Sequence, residues 1–118
     1  MSNEIEQIEI SMEQAKKKIA DCHALERLES NADFKALFSE GYLKDYAVRL
    51  VGLKASMHMQ DPKQQHLIEG QLNAIGHLSQ YMLFIKQEGR VAEESLEADS
   101  AEREALLKEE AEAAEENN

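Results

Sequence analysis

The chain has no Trp, one Pro, one Cys, five Gly, and only three Tyr and three Phe in 118 residues. Each scarcity excludes something. With so few turn-forming and bulky strand residues, an all-β sandwich or barrel is excluded. One cysteine forms no intramolecular disulfide framework, which fits a reducing compartment. No run of eighteen apolar residues occurs, so no membrane-spanning helix is expected. The opening Met1-Ser2-Asn3-Glu4 lacks the basic and apolar regions of a secretory leader.

What the chain does have is charge and aliphatic residues. Acids outnumber bases 24 to 13, for a net charge of −11, and 42% of the residues are hydrophobic. That apolar fraction supports a folded domain of ordinary size. The charge is unevenly placed. Residues 1–90 hold 13 acids and 11 bases, whereas residues 91–118 hold 11 acids and two bases. The composition therefore predicts two parts, a helical body over residues 1–90 and an acidic tail, helical or disordered, over residues 91–118.

The body reads as amphipathic helices. Ile5, Ile8, Met12, Ala15, Ile19, Cys22, Leu25 and Leu28 step by three or four residues, the spacing of one helical stripe. Asn3 with Glu6 has the form of a capping box at its start. A helix of about 25 residues is roughly 37 Å long. Ser30-Asn31-Ala32-Asp33 marks a break, and Asp33 is expected to start a short helical piece that Gly41 closes in a left-handed conformation. A second stripe, Leu43, Tyr46, Leu50, Leu53 and Met57, should fade near Met59. Asp61-Pro62-Lys63-Gln64 is the sharpest start signal, with Pro62 at the first helical position. The stripe after it is Ile68, Leu72, Ile75, Leu78, Met82 and Ile85. The fold class expected is all-α, an antiparallel helical hairpin or small three-helix bundle. Aliphatic and Met stripes also suit a coiled-coil seam, and a core this modest predicts a homo-oligomer.

The tail offers a weaker pattern. Gly89 is expected to interrupt the third helix, and Asp99 with Glu102 forms a second capping box. Val91, Leu96, Ala101, Ala105, Leu106 and Leu107 keep no common register, so residues 91–114 should be helical only intermittently and Glu115 to Asn118 disordered. Such a tail solubilises a small bundle, or engages a basic surface through long-range attraction.

The search for chemistry is brief. His23-x-x-Glu26 and His66-x-x-Glu69 place an imidazole and a carboxylate on one helical face. Di-iron bundles use the reverse order with further inward glutamates, so no metal site is expected and the histidines should face solvent. Cys22 and His23 are adjacent and therefore about 100° apart on a helix, which forms no nucleophile–base pair. No phosphate-binding glycine loop, Cys-x-x-Cys pair or nucleophile elbow occurs, so neither catalysis nor a cofactor is expected. Lys16-Lys17-Lys18 lacks stacking aromatics, and the net charge opposes direct nucleic-acid binding.

Asp33-Phe34 through Gly41-Tyr42, Ala47-Val48-Arg49-Leu50-Val51 and Asn73-Ala74-Ile75-Gly76-His77-Leu78-Ser79-Gln80-Tyr81 carry a resemblance. Over about residues 5–95 the chain resembles small acidic helical proteins that tailed bacteriophages encode among virion structure and assembly genes. The resemblance implies a phage component acting by protein–protein contact, in the host cytoplasm or the virion, with the chain itself or a phage or host protein as partner. It transfers no catalytic residue. Phe38, Tyr42, Tyr81 and Phe84 are the expected contact residues, because aromatics dominate interface hot spots. Glu93, Glu94, Glu97, Glu109 and Glu110 are those expected if the acidic tail docks on a host protein as an inhibitor or DNA-mimic-like decoy.

Overall fold

A computed structural model describes residues 2–117, and the described residues are helical almost throughout. The order is α1 (Ser2–Ser30), α2 (Ala32–Phe34), a wide-turned π-helical segment (Lys35–Asp45), α3 (Tyr46–Ala55), a 3-10 turn (Met57–Met59) and α4 (Pro62–Glu116). The described residues contain no strand, so the all-α class stands.

Two compact units divide the chain, one from Met1–His23 with Ile85–Asn118, the other Ala24–Phe84. In the first, the early part of α1 lies antiparallel to the later part of α4. Ile5, Ile8, Met12, Ala15, Ile19 and Cys22 of α1 are buried or half-buried, stepping 3, 4, 3, 4, 3. On α4, Ile85, Gly89, Ala92, Leu96, Asp99, Arg103, Leu106 and Glu110 are likewise buried or half-buried, stepping 4, 3, 4, 3, 4, 3, 4. A seven-residue repeat on both helices keeps one seam in contact along the pair. Polar ties cross it: Ser11 Oγ donates to Asp99 Oδ2 at 2.8 Å, Arg103 Nε to Glu9 Oε1 at 3.0 Å, and Lys18 Nζ lies 3.4 Å from Glu88 Oε1.

Several local expectations are corrected here. Gly89 does not interrupt α4. It is buried against α1, and a Cβ on it would lie 2.8 Å from Cys22 Sγ and nearer still to Cys22 Cβ. Asp99 is no cap; it sits mid-helix and accepts from Ser11. The residues after Val91 are continuously helical to Glu116, because their stripe is built from small and polar residues that find partners on α1. Asn3 lies inside α1, which already begins at Ser2.

The second unit centres on Leu50, at 1% exposure, packed with Ile68 and Ile75 and ringed by Tyr42, Leu43, Ala47, Leu53, Met59 and Leu72. Burying an aliphatic side chain of that size contributes about 1.5–3 kcal/mol. Leu25 and Met82 are buried in the same unit. The break after α1 falls at Asn31, whose extended backbone (φ −73°, ψ 129°) and Oδ1, accepting from Phe34 N–H at 3.0 Å, make it the cap in place of Asp33. Gly41 does not close a helix: no glycine has positive φ, and Tyr46 N–H donates to the Gly41 carbonyl five residues back. α3 ends at Ala55, as Ser56 turns extended (ψ 138°). Two amides tie this end: Gln65 Nε2 donates to the Lys54 and Met59 carbonyls at 2.9 and 2.7 Å, and Gln60 Nε2 to those of Lys54 and Ser56 at 2.9 and 2.6 Å. They satisfy carbonyls that a helix end leaves open.

Candidate functional site

The aromatic residues singled out by sequence fall on two elements. Phe38 and Tyr42 belong to the π-helical segment, and their ring contacts are local: Phe38 stacks on Phe34 at 5.2 Å between centroids, Tyr42 on Tyr46 at 6.0 Å. Tyr42 is half-buried against the Leu50 cluster, so much of its ring serves the core. Tyr46 donates its hydroxyl to Gln71 Oε1 at 3.2 Å. Tyr81 and Phe84 lie three residues apart on α4, 59% and 54% exposed.

They belong to a longer face. Leu67, Gly70, Ala74, His77, Tyr81 and Phe84 step 3, 4, 3, 4, 3 along α4, and every one is exposed. Ile68, Ile75 and Met82 occupy the opposite side of the same helix and are buried. The second unit's stretch of α4 is thus apolar on both sides, whereas a helix facing water on one side is polar there. The sequence carries a sign of this: from Gly70 to Ile85, sixteen residues, there is no Asp, Glu, Lys or Arg, in a chain 31% charged. Periodicity directed to the buried stripe passed over it, and Leu67 and His77 with it.

The acidic residues are ordered on α4. Glu93 Oε1 lies 3.7 Å from His23 Nε2. Glu94, Glu97 and Glu109 are exposed, while Glu110 is half-buried and lines a shallow groove with Glu4, Leu106, Glu109 and Ala113. The first unit holds 17 acids and seven bases, net −10; the second holds seven and six, net −1. The electrostatic field therefore belongs almost wholly to the first unit.

Among the described residues no group of three or more His, Cys, Asp or Glu side chains is placed to hold a metal ion. His23, His58, His66 and His77 are all exposed. Cys22 is buried, and its thiol points to the Lys86 carbonyl at 4.0 Å. No helix of the described residues is long and apolar enough to cross a membrane. Compared with protein-family models, curated proteins and solved structures, the chain matches none.

Proposed function

We propose that this is a non-enzymatic helical protein that acts by protein–protein contact, as a virion component or assembly helper of a tailed phage. One observation carries the contact reading: Leu67, Tyr81 and Phe84 stay 58%, 59% and 54% exposed on a helix whose other side is core. Contiguous apolar surface of this kind marks interaction sites in soluble proteins. The phage setting rests on the resemblance over about residues 5–95. Mass spectrometry of purified particles and their assembly intermediates tests it. The chain is expected in one or the other at defined copy number, and absence from both removes the assembly role.

A second reading has its own support. Net −9 over residues 91–118, with Glu94, Glu97 and Glu109 exposed on an ordered helix, suits an inhibitor or decoy that docks on a basic host protein. Association of that kind weakens steeply with salt. Replacing Glu94, Glu97 and Glu109 by Gln leaves the helix in place and should weaken binding to the host partner several-fold at low salt. Unchanged binding by the triple variant eliminates the decoy.

A further inference from the structure

We infer that the outer face of α4 between Leu67 and Phe84 is the seat of a second copy of this chain, packed antiparallel with the two-fold axis at His77. The inference rests on the contact reading above and names the occupant of that face.

Charge selects the occupant. The face lies in the unit whose net charge is −1, and the sequence around it from Gly70 to Ile85 contains no Asp, Glu, Lys or Arg. Two copies of a chain with net charge −11 repel each other wherever acids oppose acids. This face is where they meet without that cost. Charged residues are depleted at interface cores for the same reason. A charged partner would find no Asp, Glu, Lys or Arg to pair with between Gly70 and Ile85, whereas an identical face matches itself.

Side-chain size agrees. Centred on His77, the overlap puts Phe84 of each copy on Gly70 of the other, and Tyr81 beside Ala74. Gly70 has nothing within 4 Å of where a Cβ would stand, so a ring can settle on its bare backbone. Large residues meet small ones on both sides of the axis, as an isologous interface requires of one self-complementary surface. Eighteen helical residues span about 27 Å. Pairing them removes on the order of 1,000 Å² from water, near the lower limit for a specific interface.

The test uses the full chain. At about 100 µM, sedimentation or light scattering should give twice the 13.4 kDa chain mass, and Phe84→Glu should give the single-chain mass with unchanged far-UV circular dichroism. Oxidation of a Cys22→Ala/His77→Cys variant should yield a disulfide dimer, and a Cys22→Ala/Lys63→Cys variant should not. A wild-type monomer, or a Phe84→Glu dimer, overturns the inference. Cross-linking through position 63 overturns the antiparallel arrangement. A wild-type monomer that is nevertheless found in phage particles would refute the second copy and leave the assembly role intact.

Discussion

Gly89 shows how one side chain's absence positions two helices. Its missing Cβ leaves the space that Cys22 Cβ and Sγ occupy, and the surrounding pair (Ala92 at 3% exposure, Ala15 at 5%) is small as well. Small residues at a seam let helix axes approach more closely than the usual 8–10 Å. Alanine is favoured over glycine inside a helix by about 1 kcal/mol, so the sign of a Gly→Ala change reports local space. Gly76, with nothing within 4 Å of its would-be Cβ, should gain about that much stability as Ala. Gly89→Ala should lose about 1–3 kcal/mol, because Cys22 must shift to admit the methyl group. Thermal unfolding of the two variants side by side checks this, and two shifts of the same sign would contradict the close approach. Asp99 and Arg103 make a related point. Each stands where an aliphatic residue would be expected, and each is matched, by Ser11 and Glu9, so its half-burial is compensated.

Among the elements, the π-helical segment departs furthest from expectation. Runs of i→i+5 bonds are rare and usually a single turn long, yet here they extend over Lys35–Asp45, 11 residues. Local bonding does not explain the length. The segment leaves Ser39 Oγ buried with no hydrogen-bond partner, a cost of about 1–3 kcal/mol. Packing offsets this: Tyr42 and Leu43 pack against the Leu50 cluster. Gly41 permits the wide turn, since a Cβ there would stand 2.7 Å from the Ala36 carbonyl oxygen. Gly41→Ala should therefore destabilise the protein by about 1–2 kcal/mol in urea unfolding, although Ala is the better helix former. Stabilisation on substitution would mean that the wide turn relaxes to an α-helix without loss. The long stripes of α1 and of α4 to Ile85 were legible as elements because nearly every position on them is aliphatic, a signal that needs no knowledge of the partner. The π turn was not legible, because Lys35–Asp45 has an ordinary helical composition.

Over the whole molecule, the acidic quarter of the chain is structural as well as electrostatic. Residues 5–22 of α1 have Ala92, Leu96, Asp99, Arg103 and Leu106 as their cover. A helix in a protein draws most of its stability from packing its amphipathic face and not from propensity. Truncation after Arg90 should therefore reduce the circular dichroism helix signal by more than the deleted residues account for, as the early part of α1 frays with its partner gone. A loss equal to the deleted share would show that α1 needs no cover. For the same reason, charge-neutralising substitutions and not truncation separate the electrostatic role of these residues from their packing role.

Composition and spacing alone determined the helical class, the site of the break near Asn31, the start at Pro62, the burial of Cys22 and Ile75, and the concentration of acid after Arg90. These are local quantities, readable from propensity, period and charge. Tertiary structure alone decided that the acidic stretch is a helix with a partner, that Gly89 joins two helices and does not end one, and that α4 carries a second, uncovered apolar face. The physical reason is the same in each case. Whether a glycine, an aspartate or a tyrosine can leave the surface depends on the group placed against it, as Cys22 stands against Gly89 and Ser11 donates to Asp99.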